Sequence, residues 1–403
     1  MKIAAIDMMF TWPPMGGSWV DFKHTLEELG KLDNQIKLFV PCFNYSYPRG
    51  RIESPLPFQV ETINVRLREL IPSRYMKNLL LKVEDYKPDL IFIGDGYFFK
   101  VPLIETFAEK YPTIVRFFGH ELLCPNNIKR WRNGTICSLN YLDNPWKCLM
   151  CCLPRYTMNL LKDRLHPDIF FHEFMITGSW RWFNTHRRAI KALSKVKGVI
   201  VYNNKFKNIF DRYNKNVHVV PGGVNIEKFY PLSRRHTNPY RIFLSSRLNN
   251  PLKGFILFKK SMSLIDSRKN NWQVLYTDEK DAGDNFLPLN WVPYERLPLI
   301  YRNSSMLVFV PLWEEPFGLV TLEAMASGLP VVVSNNGILP EIVKNGETGF
   351  VLEKNSPEEL SELIIKLSEN EKLGNQIGNN AREFVKENYT WKKIISENYS
   401  WIC

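Results

Sequence analysis

The sequence has 403 residues, 45% hydrophobic and 23% charged, which suits a globular chain of two domains and excludes a disordered one. No apolar run reaches the roughly 18 residues of a spanning helix, and the opening MKIAAIDMMF, with Asp7, reads as a buried first strand rather than a signal peptide, as expected of a cytosolic protein. The net charge of +12 is uneven: residues 1–225 hold 32 Lys and Arg against 20 Asp and Glu, whereas residues 226–403 hold 21 of each. That excess reads either as a solubilising surface or as attraction to an anion: a lipid head-group surface, a pyrophosphate-linked acceptor or nucleic acid.

Apolar runs alternate with amphipathic stretches, the pattern of βα units on a mainly parallel sheet. In chain order the predicted strands are KIAAIDM, IKLFVP, DLIFIGD, TIVRFFG, GVIVYN and VHVVPGG, then YRIFLSS, WQVLYTD, SSMLVFVP, PVVVSN and GFVLE. Their Val, Ile and Phe content without clean alternation suits strands covered on both faces. After the first strand, TWPPMGGSW sets Gly16 and Gly17 before a helix expected to be capped by Ser18, with Asp21 three residues on. Alone this is a tight turn; beside the sites below it becomes a third wall of an anion-binding cleft. His120 in RFFGHELLCP reads, by itself, as a core or capping histidine.

Cys124, Cys137, Cys148 and Cys151, with Cys152 adjacent, form a C-x12-C-x10-C-x2-C series. The set suits a structural tetrahedral zinc, with unligated or oxidised thiols and an iron–sulfur cluster as alternatives. The turn residues of VVPGGVNIEKFYP then mark an interdomain hinge. The final WKKIISENYSWIC reads as a helix with an apolar face of Trp391, Ile394, Ile395 and Tyr399. The expected domains are 1–221, with a helix over 386–403 packing back on it, and 222–385.

Two stretches of the second half carry chemistry. In SSRLNNPLKG, Arg247 and Lys253 follow a strand in a loop with Pro251 and Gly254, a planar fork and a point charge suited to a diphosphate. In PLWEEPFGLVTLEAMASGLPV, a strand leads through Gly318 into a helix from about Leu319, with Gly328 as its terminator. Backbone amides at such a helix start can receive a phosphate. Glu315 and Glu323, with seven residues between them, would then flank it, Glu323 reaching the vicinal hydroxyls of a ribose. The plainer alternative is that both glutamates only favour the helix N-terminus electrostatically.

EEPFGLVTLEAMASGLPVVVS closely resembles the E-x7-E signature of glycosyltransferase family 4 (group 1), retaining nucleotide-sugar enzymes. SSRLNNPLKG is similar to that family's Arg/Lys phosphate-binding segment, VVPGGVNIEKFYP to its hinge, and NGILPEIVKNGETGFVLE to the segment after the signature. The resemblance implies an α/β protein of GT-B architecture, two doubly wound Rossmann-like domains facing across a cleft. It implies a nucleotide-diphosphate sugar held by the C-terminal domain and a glycan or lipid-linked acceptor held by the N-terminal one. By the same resemblance Glu315 would contact the donor sugar's hydroxyls and Glu323 the ribose. Arg247 and Lys253 would bind the diphosphate with the Leu319 and Val320 amides. Gly16, Gly17, Phe317 and Gly318 would line the donor site, and His120 would lie beside the transferred sugar.

No catalytic metal and no nucleic acid are implied. The setting would be cell-envelope polysaccharide or glycoconjugate synthesis in the cytoplasm, with peripheral contact at the anionic inner face of the cell membrane. One departure stands out: where the family has a Gly-rich turn after the strand matched by WQVLYTD, this chain has TDEKDAGDN, which leaves base and sugar open. A glycosidase-like displacement through Glu315 lacks an evident acid partner. A nucleic-acid-binding module would account for the basic half but not for this set of residues. A non-catalytic nucleotide-sugar-binding or scaffold protein on the same fold is the remaining alternative.

Overall fold

The computed structural model describes the chain apart from residues 43–49, 65–71, 97–98, 125–130, 133–134, 152–181, 232–238, 246–250, 266–270, 281 and 403. It divides into two compact units, Met1–Val220 with Asn398–Cys403, and Pro221–Glu397.

The first unit is built on β1 (Lys2–Ile6), β2 (Gln35–Cys42), β3 (Gln59–Asn64), β4 (Leu90–Ile93), β5 (Thr113–Arg116), β8 (Gly198–Val201) and β9 (Val217–Val219), with a small antiparallel hairpin of β6 (Trp131–Arg132) and β7 (Thr135–Ile136) outside the sheet. The seven strands pair in the order β3-β2-β1-β4-β5-β8-β9, all parallel. Ile3 of β1 sits between Ile36 and Leu90, so the central strands are apolar on both faces, as their unbroken hydrophobic runs predict. Strand β3 was not predicted. It lies at the sheet edge, half exposed, and its QVETIN sequence carries a polar face that masks the pattern.

The helix Gly17–Gly30 corrects a detail of the sequence reading. Its N-cap is Gly16, with no side-chain cap, and Ser18 already lies in the first turn. Asp21 turns inward and pairs with the buried Arg116 at 2.8 Å.

The second unit carries β10 (Tyr240–Leu244), β11 (Trp272–Tyr276), β12 (Phe286–Pro288), β13 (Met306–Phe309), β14 (Val331–Val333) and β15 (Phe350–Val351). These are parallel in the order β12-β11-β10-β13-β14-β15. The helices Phe255–Ser263 and Pro357–Ser368 cover one face with Phe258, Leu360 and Ile364. The segment expected to return to the first domain, 386–403, is divided. The Val224 amide bonds the Tyr389 carbonyl at 2.8 Å and Trp391 packs on Gly223, which ties the chain as far as Glu397 to the second unit. Only Asn398–Cys403 belong with the first.

Candidate functional site

The strand order of the second sheet reverses between β10 and β13. Neighbouring strands there send their chains to opposite faces, and the carboxyl ends open a crevice of the kind that binds ligands. The loop after β10 ends in the 3-10 turn Pro251–Lys253, and the loop after β13 carries Glu315. A bond from the Leu312 amide to the Leu252 carbonyl, 2.8 Å, stitches the two loops together. The Lys253 ammonium lies over the rings of Trp313 (4.7 Å) and Phe309 (5.5 Å) and 3.5 Å from Glu315 Oε2. This is a loose pair, and the lysine side chain is 28% exposed. An anion entering the crevice therefore finds an ammonium already positioned by aromatic faces.

The loop bearing Glu315 is held from behind. The Ser334 hydroxyl and the Asn336 amide both donate to the Pro311 carbonyl (2.7 and 2.8 Å), and the Ile338 amide donates to the Glu315 carbonyl at 3.1 Å. Gly337, at φ 65°, lets this happen: a Cβ there would stand 2.1 Å from the Glu315 carbonyl oxygen. Gly318, at φ 78°, turns the chain into the helix Leu319–Ala326, where a Cβ would lie 2.9 Å from Leu339. That helix start has no side-chain cap and no acidic residue in its first turn, so the Leu319 and Val320 amides are available to an anion. Phe317, buried, packs toward Tyr389.

Glu323 sits beyond the first turn, where the helix dipole has little effect on it. It is 5% exposed, and the Tyr301 hydroxyl donates to its Oε2 at 2.9 Å. Burial pushes its carboxyl up to about 7, while the Tyr301 bond and the charge of Lys228 pull it partway back. One carboxylate oxygen is engaged by the tyrosine at the cost of this burial. The dipole alone does not account for it.

In the first unit His120 is buried, its ring edge-on to Phe206 at 5.0 Å. Next to it Glu121 pairs with Lys100 at 2.8 Å, and Lys100 also donates to the Gly94 and Arg116 carbonyls. Burial raises the Glu121 carboxyl to about 7, partly offset by Lys100. Asp7 accepts from the Met9 and Asp95 amides, both at 2.9 Å. Burial, reinforced by Asp95, holds its carboxyl well above the usual carboxylate range. Gly16 and Gly17 are exposed at the start of the first helix.

Of the residues predicted from sequence, Lys253, Glu315, Phe317, Gly318, Leu319, Val320 and Glu323 come together at the edge of the second sheet. Gly16, Gly17 and His120 belong to the first unit, and Arg247 lies outside the described residues. The cysteine expectation finds no support among the described residues. Cys124, Cys137, Cys148 and Cys151 are all described, and no group of three or more His, Cys, Asp or Glu among the described residues is placed to hold a metal. Cys148 is packed into the first unit's apolar core while Cys151 is exposed. Cys152 lies outside the described residues. Tyr301 and Gly337 were missed and carried no sequence signal. Asp7 directly follows β1 and Asp95 lies two residues past β4, and both could have been found by that position.

The second unit is thus a parallel, doubly wound, Rossmann-like domain with a cation, an uncapped helix start and two carboxyls beside its switch point. Residues 226–384 of it match the family model described as Glycosyl transferases group 1. Among curated proteins it is similar to the uncharacterized glycosyltransferase MJ1178 of Methanocaldococcus jannaschii, 39% identical over 25% of this chain and 28% of that protein. It is also similar to the spore coat protein SA of Bacillus subtilis, 28% identical over 32% of this chain and 35% of that protein. The chain thus spans about a third of the length of these relatives. Among solved structures, sucrose-phosphate synthase from Thermosynechococcus elongatus superposes with a TM-score of 0.66 at 17% identity, covering 98% of this chain and 96% of that one. Anabaena HepE, solved with UDP and glucose, gives 0.66 at 14% identity with 98% of each chain covered. The fold is therefore that of the GT-B glycosyltransferases.

Proposed function

We propose that this protein is a retaining glycosyltransferase that moves a sugar from a nucleotide-diphosphate donor to a hydroxyl of a lipid-linked or glycan acceptor. The observation that carries the reading is the group at the second sheet's switch point: Lys253 against Glu315, the open amides of Leu319 and Val320, and the buried Glu323. In this reading the diphosphate lies on the helix amides and the Lys253 ammonium, with Arg247 as a second cation. The ribose hydroxyls meet Glu323, and the transferred sugar meets Glu315. Phe317 and Gly318, with Gly16 and Gly17, line the donor site, and His120 lies beside the transferred sugar.

The bond from the sugar's anomeric carbon to the diphosphate oxygen breaks, and a bond to the acceptor oxygen forms on the same face. The acceptor proton passes to the departing diphosphate, so a nucleoside diphosphate and the glycosylated acceptor result. Helix amides and cations stabilise the charge that develops on the leaving group, and the glutamates hold the reacting centre in place. No metal enters this scheme. The ligands of HepE support a nucleotide-sugar donor.

For the acceptor side, the charge of the first half supports attraction to an anionic, lipid-bearing surface. Residues 122–196 alone hold 12 Lys and Arg against 4 Asp and Glu. Trp146 and Met150 are exposed on either side of Lys147, an apolar pair suited to a membrane interface. This favours a peripheral enzyme at the cytoplasmic face of the cell membrane, acting in envelope glycan synthesis. Among the described residues no helix is long and apolar enough to cross a membrane.

A thermal-shift screen of nucleotide sugars followed by transfer assays tests the reading. A true donor at 100 times its dissociation constant should add roughly 2.7 kcal/mol of stability. No shift with any nucleotide sugar would refute it; binding without turnover would return the chain to a scaffold role.

A further inference from the structure

The first unit buries a second charge cluster, distant in sequence from Lys253, Glu315 and Glu323. Arg116, the last residue of β5, is 1% exposed. Its guanidinium meets Asp21 through Nε and Nη2, both at 2.8 Å. Nη1 donates to the Tyr399 hydroxyl at 3.0 Å, and Nη2 also reaches the Val220 carbonyl at 3.4 Å. The flat face of the group lies over the Tyr202 ring at 4.9 Å. A fully buried arginine is costly unless its fork of donors is used; here Nη1 and Nη2 donate to named acceptors and Nε lies against Asp21 as an ion pair.

The choice of partners is informative. Val220 is the last residue before the chain leaves the first unit, and Tyr399 is the second after it returns. One side chain thus grips the chain at both passages, and Asp21, on the helix Gly17–Gly30, grips that side chain. The returning segment is seated further along as well. Trp401 stacks on His218 with ring centroids 3.8 Å apart and planes at 2°, and Lys197 donates to the Ile402 carbonyl at 2.8 Å.

We propose that Arg116 is a positioning residue for the transfer reaction: it pins both passages to one point of the first unit, so that the two linking segments start from a common rigid base. The role rests on the glycosyltransferase reading for its catalytic consequence only. The clamp itself is a property of the first unit and can be measured without any donor. A lysine at 116 keeps the charge but loses the planar fork, and so cannot serve Asp21, Tyr399 and Val220 together. Phenylalanine at 399 keeps the ring and removes one acceptor of the fork.

Hydrogen exchange on the full chain, wild type against Arg116→Lys and Tyr399→Phe, tests the clamp. Amides of Val220, residues 222–224 and residues 399–402 should exchange faster together, by about tenfold, the scale of a lost hydrogen bond to a charged group. Amides of β1 and β4 should be unchanged. In the transfer assay Tyr399→Phe should lower kcat several-fold with the donor KM unaltered. Faster exchange at one passage only, or equally across β1 and β4, would overturn the proposal, since the residue would then serve only local packing or the core. An unaltered kcat in Tyr399→Phe despite faster exchange would overturn the positioning role. A wild-type protein that transfers no sugar while showing the paired exchange effect would refute the enzymatic reading and leave the clamp standing.

Discussion

In the first unit the ionisable groups at the carboxyl edge of the sheet close on one another. Lys100 is fully buried and engages the Glu121 carboxylate and two strand-end carbonyls, while Asp7 accepts two backbone amides. In the second unit the corresponding edge is left open. Lys253 is partly exposed and only loosely paired. Similar parallel sheets thus treat charge in opposite ways. Where the groups satisfy one another they fix loops, and where they are left open they are the groups the proposed reading assigns to a donor.

The sharpest way to break this comparison is to remove one lysine from each edge. Lys253→Ala should cut transfer by roughly 10- to 100-fold, the worth of a charge-assisted bond to the diphosphate, with the melting temperature nearly unchanged. Lys100→Met should do the reverse. It leaves a buried carboxylate unpaired, a loss of about 3–5 kcal/mol in comparable pairs, and any protein that still folds should bind donor normally. Melting curves beside donor titrations read both, and an exchange of the two phenotypes would defeat the distinction.

Glu315→Gln probes the reacting centre. Misplacing the transferred sugar should lower kcat by about 100-fold, with a smaller change in donor affinity. The product should keep the donor's anomeric configuration by NMR, and no glycosyl ester should be trapped on Glu315. An inverted product or a stable adduct would replace the same-face mechanism.

Glu323 sets a pH dependence. Its carboxyl is raised by burial to about 7, so an acceptor of ribose hydroxyl bonds is fully charged only above that pH. Donor affinity should rise by about tenfold between pH 6 and pH 8, and Glu323→Gln should flatten the profile while weakening binding at pH 8. The linkage to folding has the opposite sense. A carboxyl whose folded value lies above its unfolded value of about 4.5 favours unfolding as pH rises through that interval. Without donor, Glu323→Gln should therefore melt higher than wild type at pH 8 and the same at pH 4. Calorimetry at the two pH values decides it, and a pH-independent wild-type affinity would remove Glu323 from the ribose.

Much of this arrangement was legible because it follows from local chemistry. Buried parallel strands read as unbroken apolar runs, and all eleven predicted strands are present. The edge strands β3 and β12 escaped because half-exposed strands carry polar residues that dilute the signal. Glu315, Gly318 and Glu323 were singled out by their spacing around a strand-to-helix turn, and Lys253 by its place in a separate loop after a strand. Tyr301 and Gly337 were not, since each acts on a glutamate more than 20 positions away and only the fold brings them together. Asp21 was misread for the same reason. Its place three residues after a serine suggested a cap, whereas its partner, Arg116, lies 95 positions along the chain.

The smallest effects should come from the cysteines, and they sharpen the contrast between closed and open surroundings within one short stretch. Cys148 packs among the apolar side chains of the first unit, and Cys151 faces solvent. Cys148→Ser puts a hydroxyl into an apolar core and should cost about 1–3 kcal/mol. Cys151→Ser, at an exposed position, should stay within about 0.5 kcal/mol of wild type. Neither should alter kcat measurably, and prior treatment with a chelator should leave both differences unchanged. A shared zinc ion would predict another pattern, because losing either ligand opens the same site and the two variants should then fall together. Equal losses in both, accompanied by about one zinc per wild-type chain, would return these cysteines to a structural metal centre.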